Sequence, residues 1–364
     1  MGQGIGIIGA GPVGTYAASL MAKKQNITVF EEHSAIGTPA HCTGIVTQEI
    51  FSFIPKNSKF VVNRIHDVRI IAPNGKAIGL NFKKPDIILD RVAFDNHFYN
   101  RALDSGAEVL LRHRFISLKN NKILVKDLAK NRSKSFAFSR LVGADGPNSI
   151  VGRSADMLGR RKFYIGVQAI VKKKNSNVLD FYPLHRGFGW SVPEDSSTLR
   201  IGVACEDNPR AEFERLLKRY GGKIIEKQGG LIPIYDPKAS FCKNNIFLVG
   251  DAAGFVKATT GGGLVPGLRS AELLANSLIK GEDYPRQVRR EIRPGLSLNL
   301  KLRRVMDDLS ENEWNDLVQM FDNKRSKDVF QEMNRDRLMH LLFSTIVANP
   351  KMMKFGFRHL KALL

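Results

Sequence analysis

The chain has 364 residues, of which 43% are hydrophobic and 25% are charged. This balance is ordinary for a folded globular protein, and it excludes intrinsically disordered, collagen-like and small disulfide-rich classes. The 56 lysines and arginines outnumber the 35 aspartates and glutamates, which gives a formal net charge of +21. Such a surplus predicts an anionic partner.

The three cysteines, Cys42, Cys205 and Cys242, are widely spaced and form no CxxC pair. They predict neither a disulfide framework nor a metal site, and they favour a reducing, cytoplasmic location. No run approaches the roughly 18 apolar residues of a membrane-spanning helix, so none is expected. The basic residues are dispersed and match no nucleic-acid-binding signature, so we expect no nucleic-acid partner.

The predicted elements begin with a βαβ unit of the usual size. An apolar strand ends in a glycine turn at 9–14, a helix follows to residue 22, and a second strand at 27–30 is closed by Glu31. A hairpin with its turn at 73–75 and a helix at 91–103 come next. Strands are then predicted at 163–171, 178–182, 188–192, 199–204 and 246–251, and helices at 209–220, at 264–279 and beyond 285.

The glycine spacing GxGxxG occurs at Gly9, Gly11 and Gly14, where the first strand gives way to a helix. In that setting Gly9 permits the tight turn, Gly11 lets a pyrophosphate approach the backbone, and Gly14 lets helix and strand pack closely. Glu31 follows at about the 20-residue distance at which a carboxylate binds ribose hydroxyls. The unit therefore predicts a dinucleotide-binding site.

Two later turns, Asp145-Gly146 and Gly250-Asp251, each follow a predicted strand. With the glycine motif, Glu31 and Arg91, they resemble the FAD-dependent monooxygenase and reductase superfamily over residues 1 to about 280. The resemblance implies an α/β fold with a Rossmann-like FAD-binding domain of the para-hydroxybenzoate hydroxylase type and an inserted antiparallel sheet. The sequence has no second strand–GxGxxG–helix unit, so no separate nicotinamide domain is expected.

Within this superfamily, four stretches resemble the geranylgeranyl reductases, including the archaeal digeranylgeranylglycerophospholipid reductases. These stretches are 31–44, 91–95, 187–193 and 250–264. Phe188 and Val192 depart from the family pattern, which has Tyr and Phe there. Together, the motif and the resemblance predict that FAD is bound by Gly9, Gly11, Gly14, Glu31, Cys42, Thr43, Ile45, Arg91, Phe115, Asp251, Gly261, Gly262, Gly263 and Leu264.

Three consecutive glycines, Gly261 to Gly263, precede the predicted helix at 264–279. Side chains there would block the approach of a flavin to the helix N-terminus, whose dipole favours an anionic reduced flavin. Cys42 and the neighbouring His41 are candidate catalytic residues, as proton donors or, for the thiol, as a redox partner. The alternative for Cys42 is an inert buried thiol.

Phe188 and Trp190 alternate on one strand face beside Gly187 and Gly189, and they predict an aromatic wall for a long hydrocarbon. Pro193 completes the predicted substrate-binding set, and ordinary core packing is the alternative. We expect the FAD-binding domain at 1–60, 85–160 and 240–285, the substrate-binding sheet at 61–84 and 161–239, and a helical region at 286–364.

The last 28 residues contain no acid, and Lys351, Lys354, Arg358 and Lys361 share one helical face. Two interpretations are open. One is a basic amphipathic helix on an anionic membrane surface, at the inner face of the cell membrane. The other is a C-terminal helix that packs on the core and leaves its basic face in solvent.

The reductase resemblance implies saturation of prenyl C=C bonds in membrane lipids, with electrons from an external donor such as NAD(P)H, ferredoxin or a deazaflavin. One alternative is a flavin-dependent aromatic monooxygenase or halogenase, because halogenases have a similar Trp-x-Trp-x-Ile-Pro stretch. The other is a membrane-associated adaptor with a flavin fold and no activity. The intact glycine motif argues against the adaptor.

Overall fold

The computed structural model describes residues 4–40, 42–119 and 122–332. Its first sheet consists of β1 (Ile5–Ile8), β2 (Ile27–Phe30), β6 (Glu108–Leu110), β10 (Arg140–Gly143), β16 (Cys242–Lys243) and β17 (Ile246–Leu248). The strand order is β16-β17-β10-β1-β2-β6, and every pair except β16–β17 is parallel. β1 is buried along its whole length, as its apolar run predicts for a central parallel strand.

A second sheet consists of β3 (Ile45–Val46), β4 (Val61–Ile71), β5 (Ala77–Leu89), β11 (Phe163–Lys172), β12 (Val178–Leu184), β13 (Gly187–Asp195), β14 (Thr198–Cys205) and β15 (Lys223–Pro233). Its order is β15-β11-β14-β13-β12-β4-β5-β3, and all pairs except β12–β4 are antiparallel. A third, small antiparallel sheet contains β7 (His113–Lys119), β8 (Lys122–Asp127) and β9 (Arg132–Ala137).

The helices are α1 (Pro12–Met21), α2 (Arg91–Asp104), α3 (Ile150–Ser154), α4 (Pro209–Tyr220), α5 (Leu264–Lys280), α6 (Tyr284–Glu291), α7 (Arg293–Asp308), α8 (Glu311–Phe321) and α9 (Lys324–Gln331). Side chains cap several of their first turns. Asp90 accepts from the amides of Val92 and Ala93 at the start of α2, and Ser310 and Glu313 form a capping box on α8.

The parallel sheet with its helices and the separate antiparallel sheet confirm the predicted α/β fold. The predicted division into domains stays a prediction. β5 continues to Leu89, beyond the expected boundary at 84/85, and its last five residues are buried, with Ile87 and Ile88 paired to β3. The basic segment at 337–364 lies outside the described residues.

One face of the eight-stranded sheet is covered by α4, whose Phe213 and Leu216 share a buried cluster with Ile201 and Val203. On the other face, Val318 of α8 joins a cluster with strand residues that include Val192. Within the part of the chain that the structure describes, no helix is both long and apolar enough to cross a bilayer.

Candidate active site

Four parallel strands end side by side at one edge of the first sheet. β17, β10, β1 and β2 are neighbours in that order. Their carboxyl ends lead directly into Asp251, Asp145, Gly9 and Glu31. In open α/β sheets, ligands bind in the crevice at this edge. The fold therefore brings together residues that are up to 242 positions apart in the chain.

The glycine turn has the shape of a phosphate cradle. Gly9 has φ of 99°, and a Cβ on Gly14 would lie 2.1 Å from the carbonyl oxygen of Gly9, so neither position accommodates a larger residue without movement. A Cβ on Gly11 would meet nothing within 4 Å. Among the described residues, no side chain caps the first amides of α1, which leaves this N-terminus open toward an anion.

Glu31 is held beside this turn by three hydrogen bonds. The amide of Ala10 donates to its Oε2 at 2.8 Å, and the amide of His33 donates to Oε1 at 2.9 Å. His33 Nδ1 also lies 2.6 Å from Oε1, and the Glu31 side chain is 11% exposed. These contacts fix the carboxylate next to Gly9, where the sequence predicted a ribose acceptor. Sequence reasoning did not include His33.

Arg91 lies at the start of α2, where its guanidinium contacts both Asp95 and Cys42. Nη2 donates to Asp95 Oδ1 at 3.0 Å and to Oδ2 at 3.1 Å. Burial opposes the charge, but Asp95 and the Cys42 sulfur outweigh it and raise the pKa of Arg91. The amide of Gly44 also lies 3.4 Å from Cys42 Sγ. The predicted pair of Arg91 and Cys42 is therefore brought together, whereas His41 lies outside the described residues.

Asp251 has a different role from Asp145. The Asp145 carboxylate accepts from Ser149 Oγ at 2.6 Å and from the Val151 amide at 2.9 Å, so it caps α3. The carboxyl of Asp251 lies opposite the glycine loop, since a Cβ on Gly263 would be 2.7 Å from its Oδ1. Burial raises the pKa of Asp251, and the charges of two nearby arginines oppose that shift in part.

Arg161 is a residue of this edge that sequence reasoning missed. Its Nη1 donates to the carbonyl oxygens of Pro147 at 2.9 Å and Asp251 at 3.2 Å, and its Nη2 donates to Ala252 at 2.8 Å. It thus joins the turns after β10 and β17. Arg161 contacts main-chain oxygens of residues that are distant in sequence, so no local sequence motif predicts these hydrogen bonds.

The glycine loop, residues 261–263, leads into α5 without a side-chain cap. Gly261 has φ of 67°, and a Cβ there would lie 3.2 Å from Cζ of Phe188. The loop is anchored from outside by Thr259, whose hydroxyl contacts Asn299 Oδ1 of α7 at 2.5 Å. Leu264 packs against the core of the first sheet. The Gly261 amide donates to the carbonyl oxygen of Lys257 at 2.9 Å, so the loop forms a turn beside an aromatic surface.

The aromatic surface is centred on Phe188. Its ring centroid lies 5.9 Å from Tyr164, 6.0 Å from Phe181 and 5.8 Å from Trp190. Trp190 Nε1 is buried and has no hydrogen-bond partner among the described residues. Pro193 is not brought to this surface, because successive side chains alternate along β13 and place it on the opposite face from Phe188.

The remaining predicted cofactor-binding residues are Thr43, Ile45 and Phe115. Thr43 Oγ1 donates to Oε1 of Gln168 at 2.9 Å, which ties its loop to β11. Ile45 begins β3 and pairs with Ile88. Phe115 is buried within the main core cluster, so its ring packs in the interior. Whether these residues bind a cofactor stays a prediction.

No family model matches the chain. A digeranylgeranylglycerophospholipid reductase of Methanosphaera stadtmanae is 28% identical over 76% of this chain and 78% of its own. Another, of Methanothrix thermoacetophila, is 26% identical over 97% of this chain and 98% of its own. The resemblance to these reductases is confirmed. It extends beyond the roughly 280 residues that the motifs covered.

The solved structures agree on the fold of this reductase-like chain. A geranylgeranyl bacteriochlorophyll reductase-like protein of Thermoplasma acidophilum has a TM-score of 0.84 at 21% identity, with 98% of each chain covered. The myxobacterial chondrochloren halogenase, an FAD-dependent enzyme, has a TM-score of 0.64 at 15% identity over 94% of this chain and 97% of its own. At these identities the likeness establishes the fold alone.

Proposed function

We propose that this chain is an FAD-dependent oxidoreductase that saturates prenyl C=C bonds of geranylgeranyl chains in archaeal-type ether lipids. The observation that carries the proposal is the approach of Phe188 to the glycine loop before α5, where a Cβ on Gly261 would lie 3.2 Å from Cζ of Phe188, so that an aromatic wall borders this loop. The sequence relatives support the substrate class, since they are named for reduction of digeranylgeranylglycerophospholipids.

The residues present fit FAD. The uncapped amides behind Gly11 would hold the pyrophosphate, and Glu31 would bind the ribose hydroxyls. The glycine loop before α5 would lie against the flavin, and Arg91 and Cys42 would also contact it. When bound and reduced, FAD supplies a hydride to one alkene carbon, and a proton must reach the other.

The chain's own residues have three tasks in this reaction. Phe188, Phe181 and Tyr164 exclude water and hold a hydrocarbon by apolar contact. The N-terminus of α5 stabilises negative charge beside the loop, by about 0.3–1 kcal/mol at an exposed site and more when buried. Cys42, held between Arg91 and the Gly44 amide, is the candidate that would hold or deliver the proton.

The proposal requires an electron donor and a source of lipid. NAD(P)H, ferredoxin and a deazaflavin are the candidate donors. The net charge of +21 supports binding to an anionic membrane surface, from which a lipid substrate would be drawn. The basic segment at 337–364 is one candidate for that contact.

The test is mass spectrometry of a digeranylgeranyl phospholipid that has been incubated without air with the purified protein and dithionite. Dithionite removes the dependence on the natural donor. The expected result is a mass gain of one H₂ for each double bond reduced, with no gain for heat-denatured protein. No gain from a yellow, reducible protein would overturn the proposal and favour the oxygen-dependent class.

The monooxygenase and halogenase alternative has less support. The halogenase likeness is confined to the fold at 15% identity, whereas the reductase likeness is also present in the sequence. Oxygen uptake driven by NADPH and stimulated by an aromatic compound is the observation that would favour it. The adaptor alternative does not account for the intact cradle at Gly9, Gly11 and Gly14.

A further inference from the structure

We propose that the end of the eight-stranded sheet farthest from the glycine loop binds an anionic lipid surface. This surface, the basic tip, consists of Lys172, Lys174, Lys218, Lys223, Ile224 and Ile225. It is separate from the segment at 337–364 and from the flavin cradle. The inference rests on the proposed function only in taking a membrane as the source of the substrate.

Three elements end together at the basic tip. β11 ends at Lys172, which is paired with Lys223 at the start of β15. α4 ends at Tyr220, and two glycines with positive φ join it to β15. Lys173 Nζ donates to the carbonyl oxygen of Tyr220, which ties the end of β11 to the end of α4. The backbone of the basic tip is therefore held in place by strand pairing and by the hydrogen bond from Lys173.

A β-bulge projects an isoleucine from this edge. Ile224 pairs with Val171 and Glu226 pairs with Ile170, so Ile225 is the extra residue on β15. β15 is an edge strand of the sheet, and a bulge at such an edge re-aims a side chain. Ile225 is 59% exposed and Ile224 is 38% exposed. Two adjacent exposed isoleucines on an edge strand favour association with another apolar surface over contact with water.

The charge around these isoleucines is mostly positive. Residues 170–176 and 215–225 together contain seven lysines and arginines and no acid. Lys172, Lys174, Lys218 and Lys223 are exposed, and none of them forms an ion pair within the described part of the chain. Two acids lie nearby, and each accepts a hydrogen bond, Asp195 from the Ser197 amide and Glu226, which follows Ile225, from Gln228.

This combination fits an anionic lipid surface better than a nucleic acid. Unpaired lysines attract either polyanion, but only a bilayer offers an apolar layer in which Ile224 and Ile225 lose their contact with water. The tip also lies on the same strands as the aromatic surface. β11 begins beside Tyr164 and ends at Lys172, a span of about 27 Å at 3.3–3.4 Å per residue.

The experiment is co-sedimentation of the full chain with vesicles of saturated phosphatidylcholine, with and without phosphatidylglycerol. Ile225→Ser should weaken binding about tenfold. A triple lysine variant should weaken binding to the anionic vesicles at least tenfold at low salt and less at high salt. Its substitutions are Lys172→Gln, Lys174→Gln and Lys223→Gln. The matched controls are Ile116→Ser, at a residue 41% exposed on β7, and Lys122→Gln, Lys130→Gln and Lys134→Gln combined.

Both controls should bind as the unsubstituted chain does. The inference is overturned if the unsubstituted chain does not sediment, if the tip variants bind unchanged, or if the control lysine variant loses as much binding as the tip variant. The vesicles contain no prenyl chain, so these outcomes do not depend on the reductase proposal. Conversely, a tip variant should still reduce substrate that is presented in detergent.

Discussion

The hydroxyl of Thr43 donates to Oε1 of Gln168 at 2.9 Å, and this bond is the first of three in a row. Gln168 Nε2 donates to Oε1 of Gln228 at 2.6 Å, and Gln228 Nε2 donates to Oε1 of Glu226 at 2.9 Å. An ionised carboxylate can only accept, so Glu226 fixes the direction of every bond in the row. Because the Thr43 hydroxyl uses its hydrogen in this row, it can only accept a hydrogen bond from a group in the crevice.

The first prediction concerns the two glutamines, which are both buried. Gln168→Leu should lower the free energy of unfolding by about 1–3 kcal/mol, because it leaves the Gln228 amide oxygen without its donor. The double variant Gln168→Leu, Gln228→Leu should cost less than the sum of the single variants. Urea denaturation of all four proteins measures this, and strictly additive losses would show that the row is not coupled.

The second prediction separates two neighbouring glutamates. Glu31→Ala should weaken FAD binding about ten- to a hundredfold, since a charged acceptor of the kind worth roughly 1.5–3 kcal/mol is lost. Glu32→Ala is the matched control, because its exposed ion pair with Arg114 is on the surface. Flavin fluorescence titration measures both affinities. Equal affinities in the two variants would refute the ribose assignment for Glu31.

The third prediction contrasts two glycines of one motif. Gly14→Ala should destabilise the protein even without cofactor, because its Cβ would lie 2.1 Å from the Gly9 carbonyl oxygen. Gly11→Ala should leave the melting temperature of the cofactor-free protein unchanged, since its Cβ meets nothing, but it should weaken FAD binding by filling the cradle. Thermal unfolding with and without FAD distinguishes them. A Gly11 variant with normal FAD affinity would contradict the cradle.

The sequence predicted those parts of the molecule that depend on local pattern. The apolar runs of β1 and β2 and the turn at Gly9 are each contained in a few consecutive residues, and the structure has them where they were expected. β5 continues past the predicted sheet boundary at 84, because it pairs with β4 again from Asp86 after an irregularity at 82–85.

The contacts that complete the site could not be predicted in this way. Arg161 binds main-chain oxygens up to 91 positions away, and Thr43 meets Gln168 across 125 positions. Such pairs depend on how two sheets are placed, and no residue pattern within either segment encodes that. Pro193 shows the reverse case, since a motif that is contiguous in sequence is divided between the two faces of a strand.

The last prediction concerns the departure from the family pattern at Phe188. Its Cζ points at the glycine loop, because a Cβ on Gly261 would lie 3.2 Å away from it. Phe188→Tyr would place a hydroxyl on that carbon, in a site where Phe188 is buried. We expect the variant to displace the loop, with a loss of about 1–3 kcal/mol in stability and weaker FAD binding.

Phe181→Tyr is the control, since Phe181 stacks on Phe188 and is only half-buried. Urea denaturation and flavin titration should show a larger effect for Phe188→Tyr than for Phe181→Tyr. The physical reason is that the ring at 188 is confined by Tyr164 and Phe181 and cannot move away from the loop. Unchanged stability and FAD affinity in Phe188→Tyr would mean that the loop has room for the family's tyrosine. The close approach of the aromatic wall to the glycine loop would then be wrong.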